Sequence, residues 1–117
     1  MIIQTTCLKE KWKAGEDLVA KHYADLWYLI KARNYTFPGG ELDIVATKED
    51  ALVFIEVKVI DYIEDTFDYI TPRKISLLKR SIEYYLNEYP SHCEISLDVV
   101  FVQGNRIVDV YHDITNT

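Results

Sequence analysis

Two apolar runs separated by four polar residues constrain this chain more than any other feature. ELDIVA, residues 41–46, and ALVFIEVKV, residues 51–59, flank TKED. Runs of this length and residue type around a short polar turn predict a β-hairpin. With residues 48–51 as the loop, Thr47 stands opposite Leu52, Val45 faces Phe54 and Asp43 faces Glu56. Strand side chains alternate between faces. Leu42, Ile44 and Ala46 therefore share a wholly apolar face with Val53, Ile55 and Val57. The other face is apolar near the turn and becomes Asp43, Glu56 and Lys58 at its far end. Both faces are expected to be covered, leaving a charged corner. Directly opposed residues have Cβ atoms about 5 Å apart. Two carboxylates that close repel unless a proton or a cation lies between them.

The rest of the chain supplies helices to cover such a hairpin. Thr5 and Thr6 are expected N-caps of a first helix, clearest over GEDLVAKHYADLW, with Val19, Ala20, Tyr23, Leu26 and Trp27 on one apolar face. Glu16 precedes Val19 and Ala20 by three and four residues, so an acid lies on the stripe that should be buried. The pattern of WYLIKARNY fits either helix or strand, and FPGG breaks the chain after it. Residues 60–70 read as an acidic loop or irregular strand. Thr71 and Pro72 then open a second helix, with Ile75, Leu78, Ile82, Leu86 and Tyr89 on its apolar face and Pro90 at its end. Lys74, Lys79 and Arg80 make its first half basic. ISLDVVFV and RIVDVYH read as two further strands joined at Gln103–Gly104–Asn105. This order predicts one α/β domain over residues 1–117, with helices on both faces of a sheet.

Composition narrows the function. At 117 residues and 49% hydrophobic content the chain can fold around one core. Its apolar runs are too short for a membrane helix, and without a secretory leader a cytoplasmic location is expected. Cys7 and Cys93 lack zinc-like spacing and are expected as reduced thiols. A net charge of −6 argues against unspecific nucleic-acid binding, though not against a local basic patch. His22 and His112 are expected at the surface or in structural roles, and Asp98 as a hydrogen-bonding residue within an apolar strand. The nine tyrosines could stack on bases, though most are expected in the core or in subunit contacts.

The charged corner has its own chemistry. Two carboxylates at a strand end suit Mg²⁺ or Mn²⁺, hard cations that take oxygen ligands. A lysine beside them can hold the attacking water or offset charge building on phosphorus. The same three residues could also form a strand-edge ion pair without chemistry. Glu16 could simply cap its own helix, because acids suit a helical first turn. Lys74 could contact phosphate or be solvated near its helix start.

Together GEDLVA, RNY, GELDIVA, FIEVK, TPRK, YYL and LDVV, spread from Gly15 to about Val102, resemble the YraN-like family of the restriction-endonuclease-like PD-(D/E)xK superfamily. The resemblance implies a restriction-endonuclease-like fold with a central mixed sheet, and a first strand following the helix end within Trp27–Tyr35. It implies catalytic positions at Glu16, Asp43, Glu56 and Lys58. Metal would be held by Asp43, Glu56 and the Val57 carbonyl, with Arg73 and Lys74 on the substrate. The implied activity is metal-dependent hydrolysis of DNA, with branched or damaged DNA as candidate substrates, and a homodimer would suit cutting of two strands. The chain departs from the family in its basic residues. Val59, Ile60 and Asp61 follow the lysine where an arginine is common, Thr36, Phe37 and Pro38 replace basic residues, and Ser96 or Leu97 stands where an arginine usually precedes the LDVV-type strand. A non-catalytic module for nucleic-acid or protein interaction is therefore the alternative reading.

Overall fold

The computed structural model describes the backbone of residues 4–61 and 66–114, and side chains from residue 8 onward in those segments. The elements run α1 (Gln4–Asp25), β1 (Leu29–Phe37), β2 (Gly40–Lys48), β3 (Ala51–Val59), a 3₁₀ turn (Thr66–Tyr69), α2 (Pro72–Glu88), β4 (Glu94–Gln103) and β5 (Arg106–Tyr111). The five strands form one sheet in chain order. All neighbours are antiparallel except β3 and β4, which are parallel and joined through α2. This is an α/β architecture with a mixed sheet, consistent with a restriction-endonuclease-like fold.

The expected hairpin register is present: Val45 pairs with Phe54 and Thr47 with Leu52. The turn is tighter than expected, because Lys48 and Ala51 also pair and leave only Glu49 and Asp50 between the strands. Each face of the sheet then takes one helix. Val19, Ala20 and Tyr23 of α1 pack on Ile44, Ala46, Val53, Ile55, Val100 and Val102. Ile82 and Tyr85 of α2 pack on Val45, Leu52, Phe54, Leu97, Val99 and Phe101. Leu42 is a correction to the sequence reading, since it joins this second cluster rather than the face of Ile44. The simple alternation fails opposite Asn34, whose φ of 51° is left-handed, at the point where β2 leaves β3.

Three further expectations change. Thr5 and Thr6 lie inside α1 rather than capping it. The same helix stops at Asp25, so Leu26 and Trp27 are exposed, Trp27 by 85%. The Trp27 N–H donates to the Ala24 carbonyl, the Tyr28 N–H donates to that of Tyr23, and Trp27 takes φ 73°. That is a Schellman ending with tryptophan where glycine is usual, and the Tyr23 and Tyr28 rings make the accompanying contact, 5.2 Å apart. In α2, Thr71 caps and Pro72 follows as expected, but the helix ends at Glu88. Tyr89 therefore leaves the helical path and is exposed, while Tyr85 fills the core.

Asp98 has the structural role expected of it. It is 5% exposed and accepts hydrogen bonds from the Tyr23 hydroxyl at 2.6 Å and the Asp113 N–H at 2.9 Å, with His112 Nδ1 at 3.0 Å. Burial, and then this bond to Asp98, raise the Tyr23 pKa. The site thus ties α1 to the segment after β5. Cys93 is a free thiol, and the Cys7 side chain lies outside the described residues. Among the described residues no helix is long and apolar enough to cross a membrane.

Candidate metal centre

Beyond Ile44 and Ile55 the β2–β3 ladder ends, and the strands part. Asp43 bridges the gap, its Oδ2 accepting the Val57 N–H at 2.8 Å. A strand residue's N–H and C=O point toward the same neighbour, so the Val57 carbonyl faces the same gap. Glu56 shares a face of β3 with Phe54 and lies close enough to Asp43 for the two carboxyl groups to interact. Asp43 and Glu56 are therefore near one another, although the ladder expected to set them opposite each other ends one pair earlier.

Glu16 arrives from the opposite layer. Gly15 is buried against β3 so closely that a Cβ there would stand 2.6 Å from Val59 Cγ2. This close approach of α1 sets Glu16 beside the parted strands. One carboxylate oxygen each from Glu16, Asp43 and Glu41 lie within 4.8 Å of one another. Glu41 is the member that sequence reasoning missed. Its signal was present, because an acid two residues before Asp43 on a strand points to the same side.

Crowding decides the charge state. Burial first, and then the hydrogen bond and charge of Asp43, push the Glu56 pKa up to about 10. Without a metal, Glu56 is therefore protonated at neutral pH and donates to Asp43. Burial, and then Asp43, also raise the Glu16 pKa, with Arg33 opposing them. Arg33 nonetheless gives its close contact to Asp17, at 2.7 Å, and stands 4.0 Å from Glu16. The donors are all oxygens, and three of them, from Glu16, Glu41 and Asp43, are gathered within ligand range of one another. This set fits Mg²⁺ or Mn²⁺.

On the α2 side the carboxylates open into a groove of about 480 Å³, lined in part by Glu41, Glu56, Lys58, Lys74 and Arg80. Lys58 and Lys74 both lie over the Tyr69 ring, at 5.4 and 5.2 Å from its centre. Of the expected substrate residues, Lys74 is on this groove, whereas Arg73 is exposed and outside its lining. Arg80, expected only as part of the basic first half of the second helix, is the further cation here.

A helix on each face of a mixed sheet, with acids gathered where two strands part and a lysine beside them, defines an α/β protein with a candidate metal centre. The chain belongs to the uncharacterised protein family UPF0102, the YraN family, whose profile matches residues 15–102. It is 39% identical over 105 residues to a UPF0102 protein of Corynebacterium diphtheriae, covering 88% of this chain and 82% of that one. A UPF0102 protein of Syntrophomonas wolfei is 40% identical over 91 residues, 75% of this chain and 79% of its own. One from Flavobacterium johnsoniae is 33% identical over 102 residues, 82% and 83% of the two chains. Glu16, Glu41, Asp43, Glu56, Lys58 and Lys74 all fall within the matched span.

Proposed function

We propose that this protein is a metal-dependent phosphodiesterase that cuts DNA. The observation that carries the reading is the gathering of Glu16, Glu41 and Asp43 at the parted strands, with Glu56 beside Asp43 and Lys58 on the adjoining groove. Asp43, Glu56 and the Val57 carbonyl would hold Mg²⁺ or Mn²⁺. Bound there, the ion would supply Lewis acidity and lower the pKa of water. Glu16 accepts a hydrogen bond from the attacking water and orients it. Lys58 offsets the negative charge that develops on the phosphoryl oxygens, and Lys74 holds a flanking phosphate. Since Lys58 is itself a cation, metal retention does not need it.

The test incubates purified protein with linear, nicked, flap and four-way DNA, with and without Mg²⁺ or Mn²⁺. Cutting is expected only with metal. Lys58→Ala should lower the rate by about 10²–10³ while calorimetry still detects metal binding, and Asp43→Asn should lose the metal. Tight metal binding with no substrate cut at any salt concentration would replace the enzyme by an interaction module, the reading favoured by the net charge of −6.

A further inference from the structure

The groove beside the carboxylates is more than an approach to them. Phe37 and Tyr84 form one of its walls, their rings stacked 4.5 Å apart and only 16° from parallel. Gly40 makes this possible. A Cβ there would stand 2.5 Å from Phe37 Cζ, so the ring lies where only glycine leaves room. Tyr84 remains 45% exposed. Lys58, Lys74 and Arg80 also line the groove, and among the described residues none of the three forms an ion pair. Glu41 and Glu56 share the lining, and Lys58 acts on the Glu56 charge, yet in a chain of net charge −6 three cations gathered beside an aromatic platform suit an anionic ligand with a flat apolar part.

The other basic surface near the cluster does not qualify. Lys9, Lys13 and Arg33 line a shallow depression with Trp12 and Glu16, but Asp17 holds Lys13 and Arg33, at 3.0 and 2.7 Å, which leaves Lys9 alone against the Glu16 carboxylate in that lining.

We propose that the groove takes an unpaired nucleotide, its base stacked on Tyr84 and its phosphates beside Lys58, Lys74 and Arg80. The DNA strand is then single at the point of cutting. The identity of the bound strand rests on the phosphodiesterase reading above. Size supports the choice: about 480 Å³ falls in the range of pockets that enclose one small organic ligand, and a base pair held in a duplex cannot turn its ring face toward a wall. Stacking on an exposed aromatic is tolerant of sequence, so little base preference is expected.

The experiment follows the anisotropy of fluorescein-labelled oligothymidylate, alone or as a duplex with oligodeoxyadenylate, binding the full chain in Ca²⁺ buffer. The single strand should bind about tenfold or more tightly than the duplex. Tyr84→Ala should erase most of that advantage, a loss of about tenfold, whereas Tyr84→Phe should keep it. Circular dichroism melts confirm that each variant folds. Equal or tighter binding of the duplex, or a Tyr84→Ala variant that binds the single strand like the native protein, would overturn the assignment. The two readings separate in a parallel Mg²⁺ cutting assay. Indifferent cutting of both substrates removes the groove assignment and leaves the nuclease. Tyr84-dependent binding without any cutting removes the nuclease and leaves the groove.

Discussion

Glu56 is a carboxyl group whose neutral form the fold prefers, and that preference makes stability depend on pH. Its folded pKa of about 10 lies above the ordinary 4.5. The stability it contributes is therefore complete below pH 4.5 and is lost progressively as pH rises toward about 10. Removing the charge removes the loss. In metal-free buffer, Glu56→Gln should melt at nearly the same temperature at pH 6 as at pH 9, about the range in which the native protein declines. Mg²⁺ should raise the native melting temperature more at pH 9, because the ion must displace a proton to bind at lower pH. A decline in the variant as steep as in the native protein would place the titrating group elsewhere. At this scale much of the site was legible. Asp43, Glu56 and Lys58 follow from period-two alternation and one turn, and Glu16 from its place on a helical stripe. Glu41 stands two residues before Asp43, and alternation puts both on one side, but only the packing of α1 on the sheet brings Glu16 to them.

The elements hold these groups through close backbone approach. Gly15 lets α1 rest on Val59, and one added methyl would stand 2.6 Å from Val59 Cγ2. Alanine is the better helix former by about 1 kcal/mol, but overpacking commonly costs about 1–3 kcal/mol. Gly15→Ala should therefore lower the urea midpoint and also weaken Mg²⁺ binding in calorimetry, since Glu16 moves with the helix. A gain of about 1 kcal/mol with unchanged metal affinity would show that propensity alone governs the position. The β2–β3 register could be read from sequence because a one-residue slip exchanges buried for exposed faces all along a strand. The end of α1 could not. Leu26 and Trp27 continue the apolar spacing, yet the Schellman hydrogen bonds turn the backbone away and leave both exposed. Leu42 was misplaced for a related reason, because a left-handed residue on the neighbouring strand interrupts an alternation that a single strand's sequence presents as continuous.

For the molecule as a whole, the excess of acids limits how nucleic acid is held. Nineteen acidic side chains face thirteen lysines and arginines, and the cations on the groove are Lys58, Lys74 and Arg80. If these three meet phosphates, the logarithm of the affinity for single-stranded DNA should fall against the logarithm of salt with a slope of about −2. Arg80→Ala should reduce that slope by about 0.7. A slope several times steeper would require a second basic surface. The topology also bears on the order of folding. β1, β2 and β3 are joined by turns of two residues, whereas β4 reaches β3 only after the crossover through α2. Short closures are made first, because long ones lose more chain entropy before any contact repays it. In pulsed hydrogen exchange during refolding, the amides of Ile44 and Ile55, which face each other across the hairpin, should be protected before that of Val100, and the reverse order would contradict this sequence of events. The meander therefore brings Asp43 and Glu56 together while they are still wet, and their mutual repulsion becomes costly only when the helices and β4 close over them. The proton or cation between the two is thus selected late, by the same collapse that completes the core.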